Sequence, residues 1–146
     1  MRDGPPNLPP LLPCACANLR RASRAVTQLY DEALRGTGLR ITQFTLLQTL
    51  TLAGELTQRG LGELLAIDST TLTRTLGPLE HRGWIRSRSG TDRRERHWAI
   101  TAAGSARLDK VLPAWEVAQR RVRARVGGER LSSLFDDLAL MVTAAS

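Results

Sequence analysis

The sequence predicts a mainly α-helical fold interrupted by one two-stranded β hairpin. Three observations predict it. Apolar residues return at three- and four-residue steps through most of the chain, two short amphipathic stretches meet across a single Ala66-Ile67 step, and two alternating segments flank an arginine-rich turn.

Residues 1–13 include five prolines (Pro5, Pro6, Pro9, Pro10, Pro13) and read as a flexible, extended arm. A first helix comes next. It places Leu19, Ala22, Val26, Leu29 and Ala33 on one face, with Gly36 and Gly38 marking its end. Thr42 is positioned to cap a second helix carrying Phe44, Leu47 and Leu50, which Gly54 closes. Thr57 caps a short third helix with Leu61, Leu64 and Leu65 inward, and Asp68 or Ser69 caps a fourth whose inward residues are Leu72, Leu76 and Leu79. Two short helices joined this tightly form either a helix-turn-helix, whose second member enters the DNA major groove, or an ordinary helical hairpin inside a core.

The next segment favours the first alternative. After Gly83, Trp84–Arg88 and Arg96–Ile100 alternate as two strands around the loop 89–95, and a hairpin with an arginine-rich tip beside such a helix pair is a wing. Thr101 then caps a long helix with Leu108, Val111, Leu112, Trp115, Ala118, Val122 and Val126 inward. Pro113 is expected to bend or split it. Gly127-Gly128 precedes a last helix with Leu131, Leu134, Leu138 and Met141 on one face. Trp84 and Trp98 are expected to pin the wing strands together, and Trp115 to anchor the core.

Composition narrows the partners. The 146 residues fit one domain, and 42% hydrophobic against 24% charged residues suffices for a core. A formal charge of +7 favours a polyanionic partner, although a solvated face rich in arginine, with Lys110 the sole lysine, would give the same total. The charge is concentrated: Arg82 to Arg96 holds six arginines against Asp92 and Glu95. No apolar run reaches the roughly 18 residues that span a bilayer, and the proline-broken start lacks the apolar stretch of a signal peptide. A cytoplasmic chain without a membrane partner is therefore expected. Cys14 and Cys16, one residue apart, make no disulfide framework, so a reduced resting state is expected.

Catalysis has no trace. His81 and His97 are the only histidines, and no His-Glu-x-x-His, Walker loop or dinucleotide fingerprint occurs. A zinc site from Cys14, Cys16 and the two histidines lacks the usual ligand spacing, so no metal and no cofactor is expected.

The candidate DNA contacts fall in two groups. Between its inward leucines the fourth helix presents Ser69, Thr70, Thr71, Thr73 and Arg74, where hydroxyls can reach phosphates beside the helix N-terminus and a guanidinium can bind guanine O6 and N7. The wing offers Arg88, Arg93 and Arg94, with Asp92 expected to hold Arg94 in a fixed rotamer.

Asp92-x-Arg94 followed by Ile100-Thr101-x-x-Gly104 resembles the wing and helix-start motif of the MarR family of winged-helix transcription regulators, which typically has Leu where Ile100 stands. The resemblance runs from about Cys14 to the C-terminus and divides residues 14–146 into dimerisation helices (14–40 and 101–146) and a winged helix-turn-helix (41–100). It implies an obligate homodimer reading an inverted repeat in double-stranded DNA, under the control of a small-molecule or oxidant effector. Independently, the first and last helices carry more apolar stripe than one small head can cover.

The cysteines are the one clue to an input signal. Laid on the organic-hydroperoxide-sensing (OhrR-type) branch of that family, Cys16 falls on the reactive cysteine, and Tyr30 on the tyrosine that hydrogen-bonds the thiolate across the dimer. The dipole at a helix start favours a thiolate. Arg20 departs from that branch, which has a second tyrosine there, and no cysteine in the C-terminal half is present to resolve a sulfenic acid; Cys14 is the local substitute. Soft ions such as arsenite on Cys14 and Cys16, or plain packing of both thiols, remain alternatives. Two functions from different classes stay open: a dimeric DNA-binding repressor, and a helical protein-protein adaptor without specific DNA binding.

Overall fold

The computed structural model describes residues 8–144. In order come α1 (Ala15–Ala33), α2 (Ile41–Ala53), β1 (Leu56–Thr57), α3 (Gln58–Leu65), α4 (Ser69–His81), β2 (Ile85–Ser89), β3 (Arg96–Ile100), α5 (Ala102–Val126) and α6 (Gly128–Ala144). The helical class and the β wing agree with the sequence reading, with one addition. The antiparallel sheet has three strands in the order β1-β3-β2, with Leu56 opposite Trp98 and Ile85 opposite Ile100. Two residues show no alternation in sequence, so β1 exists only through its pairing with β3.

The core is centred on α2, where Phe44, Leu46, Leu47 and Leu50 are all buried because α1, α4, α5 and β3 pack around it. Phe44 stacks on Trp115 of α5 with ring centroids 5.6 Å apart, so Trp115 does anchor the core. Thr42 is not the cap of α2. The helix starts at Ile41, whose N–H donates to Asp31 Oδ1 of α1 at 2.7 Å, while the Arg40 N–H donates to Gln43 Oε1 at 3.1 Å. A side chain on the previous helix thus does what local reading assigned to Thr42.

The helix-turn-helix caps stand where the sequence places them. Thr57 Oγ1 accepts from the Gly60 N–H at 2.9 Å, and Asp68 rather than Ser69 caps α4, its Oδ1 accepting from the Thr71 N–H at 2.9 Å. Between them Ala66 takes a left-handed φ of 52° to close the turn. Leu61, Leu72, Leu76 and Leu79 are fully buried and hold the pair on the core, each contributing about 1.5–3 kcal/mol. Leu64, expected inward, is 60% exposed, since α3 is short enough for one leucine row to face the core.

Other expectations change. Val26, Leu134 and Met141 are exposed, because a single chain puts nothing against those faces of α1 and α6. Pro113 does not split α5; it sits exposed in a continuous helix, where the lost N–H bond is the i−4 one to Asp109. Trp84 and Trp98 do not pin the wing strands to each other. Trp98 is buried opposite Ser87 and Leu56, whereas Trp84 precedes β2 with the Arg82 and Arg107 guanidiniums over its ring at 4.9 Å and 5.2 Å. Of the proline-rich arm, residues 1–7 lie outside the described residues. Residues 10–12 are tied to α1: Asn18 Oδ1 accepts from the Leu12 N–H at 3.1 Å, and Arg21 Nη2 donates to the Pro10 carbonyl at 3.0 Å.

Candidate nucleic-acid interface

α4 lies on the surface with its leucines down and its polar residues up. Ser69, Thr70, Thr71, Thr73 and Arg74 are all exposed. The cap of this helix is electrostatically firm, because the hydroxyl and then the backbone N–H of Thr71 hold the Asp68 carboxyl below the usual carboxylate range. The helix therefore starts at a defined residue, and its first turn faces outward.

The wing turn is shaped by its own backbone. Gly90 N–H donates to the Glu95 carbonyl at 2.8 Å and Glu95 N–H to the Asp92 carbonyl at 2.9 Å, leaving Arg93 and Arg94 exposed at the tip. Asp92 acts differently from the expectation. Its Oδ1 accepts from the Arg94 backbone N–H at 3.0 Å, so it fixes the turn and not the guanidinium. A groove of about 720 Å³ runs between the wing and the helix pair, lined by Gln58, Arg59, Asp68, Ser69, Arg94 and Arg96 among others. Among the described residues Arg74, Arg93 and Arg94 make no ion pair, so their charge is available.

Arg88 is elsewhere. Its Nε donates to Glu55 Oε1 at 2.9 Å and Oε2 at 3.1 Å, and this partner raises the guanidinium pKa while the same contact lowers that of Glu55. It joins the wing to the segment before β1. His97 lies partly buried between the carboxylates of Glu55 (3.5 Å) and Glu95 (3.4 Å).

The structure also shows residues that sequence reasoning missed. Gln58 bridges Trp98 of β3 and Thr73 of α4. Arg107 Nη2 donates to the Thr37 carbonyl and Arg82 Nη1 to the Gly38 carbonyl at 2.6 Å, so the α1-α2 turn rests on the same two guanidiniums that stand over Trp84. Only Gly38, with φ at +82° and Arg107 Nη2 2.8 Å from where a Cβ would be, signals this in the sequence.

Within one chain the thiols and Tyr30 stand apart; the contact implied for them runs between two chains. Cys14 and Cys16 are exposed at the start of α1, and Tyr30 stands about 21 Å along the same helix. Its buried hydroxyl donates to Gln119 of α5, and burial raises its pKa. Among the described residues no group of three His, Cys, Asp or Glu is placed to hold a metal ion. None of the described helices is long and apolar enough to cross a membrane.

The comparisons with known proteins agree with this geometry. The MarR family model matches residues 39–95, the span from the start of α2 through the wing turn. Among solved structures, the M. tuberculosis transcriptional regulator MosR in complex with DNA is 38% identical, covers 90% of this chain and 96% of its own, and has a TM-score of 0.79. The HTH-type transcriptional regulator YwoH of Bacillus subtilis (strain 168) is 28% identical over 93 residues, 64% of this chain and 68% of that protein. A mutant MarR from E. coli complexed with operator DNA shares the fold at 20% identity, with 86% and 91% of the two chains covered and a TM-score of 0.75. Matched in its winged head and across nine-tenths of its length, the chain belongs to the MarR family and is a winged-helix transcriptional regulator, not an enzyme.

Proposed function

We propose that two copies of this chain pair through α1, α5 and α6 and repress transcription by gripping an inverted repeat in double-stranded DNA, until an oxidant or small molecule releases them. α4 enters the major groove with Thr70, Thr73 and Arg74 towards base edges and Ser69 near a phosphate, while Arg93 and Arg94 follow the minor groove. Arg88 and Asp92 shape the wing and do not touch DNA. The observation that carries the reading is the groove flanked by the exposed start of α4 and by unpaired wing arginines. The DNA-bound state of the MosR relative supports it.

Pairing is supported by the apolar side chains that one chain leaves uncovered, including Val26, Val117, Leu134 and Phe135. Two heads on one side of a duplex require half-site centres about 34 Å apart. For the input, the exposed Cys14 and Cys16 at the start of α1 are open to hydroperoxide. Cys16→Ser is expected to keep operator binding and lose the oxidant response.

The test is binding to a selected palindrome and to random duplex across a salt series. Arg94→Ala is expected to weaken both and reduce the salt slope by about one, whereas Arg74→Ala costs about 1–3 kcal/mol on the palindrome and blurs its preference. If neither substitution changes DNA binding, this assignment is wrong.

A further inference from the structure

The hydroxyls of α4 are not equivalent. Thr71 Oγ1 donates to Asp68 Oδ2 at 2.6 Å, Thr73 Oγ1 to the Ser69 carbonyl at 2.8 Å, and Thr75 Oγ1 to the Thr71 carbonyl at 3.0 Å. Each hydroxyl has one proton, so none of these three has a proton left for a phosphate or a base acceptor. Thr73 is constrained further. The Trp98 indole N–H, which can only donate, gives its proton to Gln58 Oε1 at 3.1 Å and so orients the amide; Gln58 Nε2 then donates to Thr73 Oγ1 at 3.3 Å. The direction of every bond in this chain is set by its one member that cannot accept. What the exposed Thr73 keeps to present outward is its methyl group and a single lone pair.

We infer that Thr73 is a specificity-determining residue that selects a thymine by contact between the two methyl groups, and that Gln58 and Trp98 are positioning residues that hold its hydroxyl inward. The inference rests on the reading of α4 as the recognition helix and adds the base-edge chemistry it takes. The C5 methyl is the apolar mark of thymine in the major groove, and a threonine with its proton committed is apolar towards that groove. Because Trp98 belongs to β3, the sheet that carries the wing also sets this contact.

The experiment uses the full chain and a duplex selected from a random pool, remade with dU for dT at each half-site position in turn, which deletes only the C5 methyl. The wild type is expected to lose about fourfold in affinity at one position per half-site, the weight of one buried methyl. Thr73→Val, which keeps a methyl and drops the hydroxyl, retains the dT over dU preference; Thr73→Ser, which does the reverse, loses it. Gln58→Met is expected to flatten the same ratio by more than any loss of affinity for random duplex, to which the uncharged Gln58 releases no counterion. A purely structural role of Gln58 would lower both affinities together and overturn its assignment. Absence of a dU effect at every position in a protein that still prefers the selected duplex overturns this inference alone, as does a preference lost in Thr73→Val and kept in Thr73→Ser. No preference for the selected duplex over random DNA overturns the parent reading with it.

Discussion

Thr101 carries two jobs on one oxygen: Oγ1 accepts from the Gly104 N–H at 3.1 Å to cap α5 and donates to the Gly83 carbonyl at 2.6 Å, the turn that leads out of α4. Thr101→Ala is expected to destabilise the fold by about 1–2 kcal/mol in urea denaturation, and Thr101→Ser to recover most of it. Asp68 adds a pH-dependent contribution. Its carboxyl is depressed on folding by Thr71, so the stability it supplies is present above its unfolded pKa and is lost as pH falls through the folded one. Thermal melts of Asp68→Asn are expected to lack the part of the acid-side decline that begins near about pH 4, and a wild-type-like acid limb would refute that assignment. Single residues were legible where the partner is local, as with the caps Thr57, Asp68 and Thr101. They were not where the partner comes from another element, as with Asp31 at the start of α2 or Glu55 on Arg88.

Among the elements, the wing is seated by close backbone contact with α5. A Cβ on Gly104 would overlap the Trp84 carbonyl, standing 2.8 Å from its carbon, while the Thr101 N–H donates to the oxygen of that same carbonyl at 3.0 Å. Gly104→Ala must push the start of α5 away from the root of β2, and a cost of about 2–4 kcal/mol is expected in the urea midpoint. The helices were readable because apolar residues recur along each at three- and four-residue steps, a pattern of period 3.6 that is present before any packing. β1 and the outward turn of Leu64 were not, since a two-residue strand and an eight-residue helix carry too few positions to declare a face.

In the whole molecule, the reading head is internally complete and the helices beside it are not. α6 buries Leu131 yet leaves Phe135 54% exposed with Leu134 beside it, a face that a second copy would cover. Phe135→Asp is expected to shift sedimentation from dimer to monomer and to lower affinity for a palindrome by about a hundredfold, because the second half-site loses its tethered head. A dimer of unchanged stability would exclude this face. The sequence by itself determined the class, the order of the helices, the caps Thr57, Asp68 and Thr101 and the basic turn, all of which depend on residues close together along the chain. Only the tertiary structure decided which polar groups are still free: it paired Arg88 with Glu55, turned Asp92 onto backbone and committed the Thr73 proton inward. Hydrogen bonds and ion pairs reach about 3 Å and depend on direction, so their partners are fixed by the packing of distant segments, whereas the helical type of a segment follows from its own apolar periodicity.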